Sequence, residues 1–548
     1  MATAAPVHIA ELLALVFSHL DPASLARAAR VCRPWAPVAL DALWHTVRDL
    51  RPLLALLAPL TGEKRSTART APGVPIKFKR PLQAADWQRT DRYAYRVRVL
   101  DLDDRRARRQ LDAGVFAELQ RTCPRAATLP NLVSATFPAL DAPTLRRAAL
   151  FLHPGLRHLS FHAHVAPEHP LARFVDEVLQ RAPRLTRLEV RSHHAMHELQ
   201  DALRPLFTGL RDLRHVTLPL YGLTSDVLAA LSNASRIETV ALAEPVERGT
   251  GARADVADVS FSLPPTAFPA LRSLALATHI PQATLFLAQP HAPHNISSLR
   301  LHVLAPAPPP AVHALLGAAT SCTSLTSLTI DFLLGPGAPI AAPPPAHARL
   351  SLDTLRPLLA CTRLQVLEIR WDYALALHDA DMPALAAAWP LLHTLHLHAD
   401  ALPSHTPPPL TLAALLPFAA LCPHLETLAL HLDGDTPLPR GPLPRFTTLR
   451  TLALGSSPLR APRAAARALS ALLPAACAVG AGVRWPDAWG VALDAAGVGD
   501  ARRQGLAEWW GAWAEVGRLV GVCVEVREDE RARLTWAEGR DGGDEDGG

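Results

Sequence analysis

The chain has 548 residues, of which 49% are apolar and only 19% are charged, and its formal net charge is +5 at pH 7. This composition excludes an intrinsically disordered chain, because such chains are rich in charge and poor in apolar residues. The basic residues are spread along the chain and no uncharged, proline-free apolar run approaches the roughly 18 residues of a membrane span, so neither a nucleic acid nor a membrane is an expected partner.

Three short helices are predicted in the first 50 residues. Apolar residues recur at helical spacing from Leu12 to Leu20, and Asp21 followed by Pro22 is typical of an N-cap and a first helical turn. A second helix follows from there, and a third begins near Pro37. Because apolar side chains occupy more than one face of the first two helices, this small unit is predicted to need a partner surface.

The stretch IAELLALVFSHLDPASLARAARVCRPW, residues 9–35, resembles an F-box in the order and spacing of its apolar and acidic residues. Ala10 stands where that family usually has a proline that helps to set the entry turn. The resemblance implies that residues 1–50 dock on a Skp-family adaptor and, through it, on a cullin-RING ubiquitin ligase. The residues that the resemblance assigns to this contact are Ile9, Leu12, Leu13, Val16, Phe17, Leu20, Leu25, Val31, Cys32 and Trp35.

Residues 51–93 are predicted to connect this head to the rest of the chain. Within them, the polar and basic segment 61–81 contains several glycine and proline residues, so it is predicted to be flexible. It holds the three lysines of the chain, Lys64, Lys77 and Lys79. If the chain works beside a ubiquitin ligase, these lysines are the candidate sites of self-ubiquitylation.

Residues 94–460 contain a repeat with the core L-x-x-L-x-L, at a mean spacing of about 29 residues. The alternation predicts one short strand in each unit, followed by a helix or turn, and the units must stack because none can bury its apolar side alone. The chain is therefore predicted to be an α/β protein in which a three-helix F-box precedes a leucine-rich-repeat solenoid, or horseshoe, with a C-terminal cap. The clear units begin at Leu156, Leu185, Leu213, Ile237, Leu271, Ile296, Leu325, Leu364, Leu392, Leu425 and Leu449.

Alternate residues of these strands are predicted to face solvent on the concave side of the solenoid. Their polar and charged character suits a protein partner better than a small apolar ligand. Trp371 and Tyr373, just beyond one strand, are either interface anchors or residues folded over the helix layer. The substrate-binding candidates are Glu189, Arg191, Arg300, His302, Asp331, Glu368, Arg370, His396, His398 and His431.

Proline-rich inserts follow several of the strands, as at 305–310 and 437–444. They either build a binding rim at one edge of the repeats or are sequence drift that the fold tolerates without any function. His398 and His431 hold the same phase of successive units, which fits a shared metal as well as a surface role. The stretch HELQD at 197–201 lacks the second histidine of a zinc hydrolase motif.

No nucleotide-binding glycine motif and no nucleophile motif occurs in the sequence, and the seven cysteines include no C-x-x-C pair. We therefore expect a non-catalytic protein without a metal or other cofactor. Free thiols are typical of a reducing compartment, so the expected location is the cytoplasm, the nucleus or both.

The end of the chain differs from the repeats. Residues 461–540 are predicted to cap the last open core through an alanine-rich helix, a tryptophan-dense stretch and a strand-like segment at 522–526. Residues 541–548 are predicted to be a disordered acidic tail.

The order of F-box, connector, repeats and cap resembles the substrate receptors of SCF-type ubiquitin ligases, particularly fungal ones. This resemblance implies that the head docks on the adaptor while the concave face binds a protein target, whose identity the sequence does not indicate. Two alternatives stay open at this point. One is a leucine-rich scaffold that is not assembled into a ligase, and the other is an enzyme or metal-binding protein that uses the strand histidines.

Overall fold

A computed structural model describes residues 9–61, 75–102, 111–125, 127–137, 148–163, 171–243, 250–259, 262–332, 349–371, 374–397, 401, 408–480, 482 and 499–541. The chain divides into two compact units. The first comprises residues 1–256 and 266–270, and the second comprises residues 257–265 and 271–548.

Within its described residues, the first unit contains seven parallel strands, each hydrogen-bonded to the next in chain order. They are β1 Thr46–Val47, β2 Val99–Asp101, β3 Ser134–Phe137, β4 His158–His162, β5 Arg187–Arg191, β6 His215–Leu218 and β7 Thr239–Leu242. The helices are α1 Ala10–Phe17, α2 Pro22–Ala28, α3 Trp35–His45, α4 Arg51–Ala55, α5 Asp86–Ala94, α6 Ala113–Thr122, α7 Leu171–Arg181, α8 Met196–Gly209 and α9 Ser225–Ser232, with a 3₁₀ turn at Arg253–Val256.

In the part of the second unit that the structure describes, eight further parallel strands are again paired in chain order. They are β8 Ser273–Thr278, β9 Ser298–Val303, β10 Ser327–Asp331, β11 Val366–Arg370, β12 Thr394–Leu397, β13 Thr427–Leu430, β14 Thr451–Ala453 and β15 Ala478–Gly480. The helices are α10 Ile280–Leu287, α11 Pro309–Ala319, α12 Leu352–Leu355, α13 Met382–Ala388, α14 Leu416–Leu421, α15 Pro462–Leu469 and α16 Asp500–Asp541, and 3₁₀ turns lie at Arg356–Ala360, Asp379–Asp381 and Leu412–Leu415.

The leucines of the repeat form the core between each sheet and its helices. Leu328, Leu367 and Leu395 are register partners on adjacent strands, and none of them is exposed to solvent. The strands lie where the repeat core predicts them, so the predicted fold class is confirmed. Each strand contributes one short, inward-facing apolar row, and stacking of successive units makes that row continuous.

The first strand comes earlier than the repeat pattern predicts. β1 follows α3 without an intervening residue, and it pairs with β2 through Thr46 with Val99 and Val47 with Leu100. The connector therefore joins β1 to β2, which are neighbours in the sheet. Residues 62–74 of the basic segment 61–81 lie outside the described residues. The chain before and after them is joined by a hydrogen bond, in which the amide of Thr61 donates to the carbonyl of Lys77 at 2.8 Å.

The C-terminal end of the second unit is covered by α16. Leu506, Trp513, Val516, Val520 and Val524 form its buried stripe, which packs on α15 and β15. Residues 522–526 lie inside this helix, so the strand predicted there is wrong. Val516, Val520 and Val524 recur at helical spacing, and burial of that stripe outweighs the local preference of valine for strands.

Two glycines allow the close packing that holds α16 against the end of the second unit. A side-chain carbon added to Gly434 would lie 2.6 Å from the ring of Trp513, and one added to Gly517 would lie 2.9 Å from the carbonyl oxygen of Val479. The indole nitrogen of Trp513 donates to the carbonyl of Ser457 at 2.9 Å. Among the helices within the described ranges, none is long and apolar enough to cross a membrane.

Candidate functional site

The three N-terminal helices form a small head with its own core. α2 begins at Pro22 because the carboxylate of Asp21 accepts hydrogen bonds from the amides of Ala23 and Ser24, at 2.9 and 3.1 Å. The hydroxyl of Ser24 also donates to Asp21 at 2.6 Å. These contacts hold the pKa of Asp21 below its usual range, and they satisfy backbone donors that a helix N-terminus leaves open.

Few side chains of the head point inward. Leu13, Phe17 and Leu25 are buried together with small alanines, and the rings of Phe17 and Trp35 meet edge to face at 5.4 Å between centroids. From α1, only Leu13 and Phe17 belong to this core. The remaining apolar residues of α1 therefore lie outside the core of the head.

An exposed apolar surface results, which we call the head surface. Leu15 is 63% exposed, Val16 57% and Val31 62%, although burial of such side chains is worth about 1.5–3 kcal/mol each. Large apolar side chains left exposed within one small domain in this way are typical of an interaction surface. The members of the head surface are Ile9, Leu12, Leu15, Val16, Leu20 and Val31.

The residues that the sequence assigned to adaptor contact divide into two groups. Leu13, Phe17 and Leu25 lie in the core of the head, the half-buried Trp35 packs against it, and Cys32 is half-buried, so none of these five lies on the head surface. The other five are Ile9, Leu12, Val16, Leu20 and Val31, and all of them lie on the head surface. Leu15 was missed, although its position three residues after Leu12 on an amphipathic helix could have indicated it.

The head is anchored to the sheet of the first unit. The rings of Trp44 and Tyr93 lie 5.2 Å apart, which joins α3 to α5. The guanidinium of Arg96 donates to the carbonyl of Pro37 at 3.1 Å and forms an ion pair with Asp41. The head surface therefore has a defined orientation relative to strands β1 and β2.

The concave-face candidates of the first unit are Glu189 and Arg191, both half-buried on β5. The guanidinium of Arg191 donates to both carboxylate oxygens of Glu189, at 2.8 and 3.2 Å. Each charge is thus compensated by the other within one strand, because residues two apart lie on the same face.

The candidates of the second unit form a network across three strands. The guanidinium of Arg370 donates to Glu368 at 3.0 Å and lies 3.7 Å from the carboxylate of Asp331. A nitrogen of His302 lies 3.6 Å from the same carboxylate. His302, Asp331 and Arg370 are register partners on β9, β10 and β11, which explains how residues far apart in sequence meet.

Most of this network does not face solvent as predicted. Asp331, Glu368, Arg370 and His396 are buried, whereas Arg300 and His302 are half-buried. Adjacent strands lie only about 4.8 Å apart, so long side chains in one row cover one another and bend together into ion pairs. The expectation of exposure is therefore wrong for those four residues.

Four further candidates lie in the second half of the repeats. Trp371 is 4% exposed and packs 4.4 Å from the ring of Phe332, so it is a packing residue and not an exposed anchor. Burial lowers the pKa of His431 to about 4, and His431 lies 3.4 Å from the hydroxyl of Ser456. His398 and Tyr373 lie outside the described residues. Within the parts of the chain that are described, no group of three histidine, cysteine or carboxylate side chains could hold a metal ion.

The sequence profile of the F-box-like family matches residues 10–49, which are the three helices of the head and its first strand. No curated protein matches the chain. Among solved structures, the Rad7 and Elc1 complex in yeast is similar at a TM-score of 0.33 and 14% identity, over 77% of this chain and 92% of that chain.

Two leucine-rich or internalin structures are similar at comparable scores. The leucine-rich repeat-containing protein LegL7 from Legionella pneumophila gives a TM-score of 0.27 at 17% identity, over 47% of this chain and 88% of that chain. An internalin from Listeria monocytogenes gives 0.29 at 12% identity, over 56% of this chain and 75% of that chain. At these scores the assignment of the fold rests on this chain's own repeats and paired strands.

An F-box-like head followed by leucine-rich repeats is the domain order of a substrate adaptor or of a protein-interaction scaffold. The chain carries an F-box-like domain at residues 10–49, followed by leucine-rich repeats whose parallel strands pair in chain order within each unit.

Proposed function

We propose that this chain is the substrate-recognition subunit of an SCF-type ubiquitin ligase in the cytoplasm, the nucleus or both. In this role the head surface docks on a Skp-family adaptor, the adaptor carries the cullin, and the repeats bind a protein target. The observation that carries the proposal is the head surface itself: six large apolar side chains remain exposed on a folded F-box-like domain.

The chain would do no covalent chemistry in this assembly. Binding the target and the ligase at once raises the effective concentration of target lysines near the conjugating enzyme, which supplies the rate advantage. Anchoring of the head through Trp44 and Arg96 supports this role, because a fixed head orients whatever the sheet of the first unit holds.

The test is copurification of the full-length chain with a Skp-family adaptor and a cullin. Exchange of Leu15 and Val16 for aspartate should abolish retention of both partners, because each change removes up to about 1.5–3 kcal/mol of apolar burial and buries an unpaired charge. Leu285→Asp is the matched control, since Leu285 is 68% exposed on α10 and lies outside the head. That variant should retain both partners.

The result also separates the ligase from a scaffold. Retention of the adaptor without the cullin, or of neither under conditions that retain a protein target, would favour a leucine-rich scaffold outside any ligase. Equal retention of adaptor and cullin by the Leu15 and Val16 variant and by wild type would contradict docking through the head surface. Circular dichroism should show that both variants keep the wild-type helix content.

A further inference from the structure

A row of polar side chains crosses the sheet of the first unit on the side away from its helices. We call it the Arg187 row, and successive members are register partners on adjacent strands. At about 4.8 Å between strands, the row is about 19 Å long. Arg187 in the centre is exposed, and the other members are half-buried. Its members are Ser134 on β3, His158 on β4, Arg187 on β5, His215 on β6 and Thr239 on β7.

Carboxylates on β5 and just before β6 and β7 are engaged by other arginines. Glu189, two residues along the same strand, accepts both hydrogen bonds from Arg191. Glu238 accepts from Arg214 at 2.7 Å. Asp212 forms an ion pair with Arg236. The backbone amide of Arg187 donates to the carbonyl of Arg157 at 3.0 Å. Among the residues that the structure describes, its guanidinium has neither a hydrogen-bond acceptor nor an ion-pair partner.

The two flanking histidines add donors without adding much charge. Burial lowers the pKa of His158, and the positive charge of Arg187 lowers it further. The pKa of His215 is lowered for the same two reasons, against a smaller opposing effect of Glu238. Near neutral pH both rings are therefore neutral, and the row carries the single positive charge of Arg187 between imidazole and hydroxyl groups.

This composition matches one carboxylate better than one phosphate. A guanidinium binds a carboxylate through two parallel hydrogen bonds, and one positive charge balances one negative charge. Phosphorylated motifs, with nearly two negative charges, are typically held by clusters of arginines. The imidazole and hydroxyl groups on either side of Arg187 are suited to the backbone and polar side chains that flank such a carboxylate.

We propose that the Arg187 row binds an acidic, extended segment of a protein partner, with an aspartate or glutamate carboxylate paired to the guanidinium of Arg187. About six extended residues span the length of the row, at roughly 3.3 Å per residue. The inference rests on the proposed function in that this partner is the target that the repeats select.

The test measures fluorescence anisotropy of a labelled ten-residue peptide, in which aspartate alternates with glycine, on the purified full-length chain. Arg187→Gln should weaken binding about tenfold, the usual loss for one charge-assisted pair. The matched control is Arg204→Gln, because Arg204 is an exposed arginine on α8, on the helical side of the same unit. It should bind like wild type, and the aspartate-to-asparagine form of the peptide should bind wild type as weakly as the aspartate peptide binds Arg187→Gln.

Equal affinity of wild type and Arg187→Gln for the aspartate peptide would overturn the proposal. Tighter binding of a phosphoserine form of the peptide would overturn the choice of a carboxylate ligand. Because Arg187 lies outside the head, Arg187→Gln should still copurify with the Skp-family adaptor. Loss of peptide binding with the adaptor retained supports the proposal, and absence of adaptor binding by wild type would instead contradict the proposed function.

Discussion

Replacing Trp513 by alanine should destabilise the end of the second unit more than any other single change in the cap. Trp513 is fully buried, and its indole donates to the carbonyl of Ser457 at 2.9 Å. Removing a buried tryptophan side chain costs about 3–5 kcal/mol, and the loss of the hydrogen bond to the carbonyl of Ser457 adds about 1 kcal/mol. The sum, about 4–6 kcal/mol, is comparable to the whole free energy of unfolding of a small domain.

The loss should stay local, because each repeat is stabilised mainly by its neighbours. Hydrogen exchange followed by mass spectrometry should show faster exchange in β14 and β15, with exchange in the N-terminal head unchanged. Trp509→Ala is the control, since Trp509 is only half-buried on the same helix. Protection of β14 and β15 that is equal in the two variants would refute the assignment of Trp513 as the residue that closes the cap.

Three further outcomes are expected. A hydrogen bond of 2.6 Å with Asp255 raises the pKa of His197, so its stabilisation is complete below the unfolded value of about 6.5 and is lost as pH rises through the folded value. The protection factor at the start of α8, which is the exchange rate corrected for the intrinsic rate at each pH, should fall as pH rises, and Asp255→Asn should remove this fall. Burial lowers the pKa of His431 to about 4, so the unfolded chain takes up the proton first; stability measured by chemical denaturation should fall between about pH 6.5 and 4, and less so in His431→Gln. If self-ubiquitylation limits the lifetime of the chain, a cycloheximide chase should show a longer half-life when arginine replaces all three lysines, and an unchanged half-life would contradict that role; these are Lys64, which lies outside the described residues, Lys77 and Lys79.

The sequence predicts the apolar half of each strand well because burial there depends on local alternation alone. Leu188 and Val190 are fully buried on β5, as their period of two indicates. The polar half depends on neighbours that the sequence places about 30 or 40 residues away. Asp331 and Arg370 are buried because strand pairing brings them within 3.7 Å, a distance that no spacing along the chain indicates.

The head shows the same division between local and non-local information. Its helices follow from caps and spacing, but a match to the F-box pattern does not separate Leu13 and Phe17 in the core from Leu15 and Val16 on the surface. Arg187 was likewise absent from the sequence-based candidates. Its significance comes from the pairing of Glu189 with Arg191, which only the structure reveals.

Helix α3 ends at His45 and β1 begins at Thr46, so no hinge separates the head from the first strand. Inserting one residue there would turn the helix by about 100° or slip β1 by one place, which would exchange its inward and outward side chains. A partner bound by the head would therefore have a fixed orientation relative to the sheet of the first unit. Changing that orientation would require a different junction between α3 and β1, whereas polar residues on later strands could be substituted without disturbing the junction.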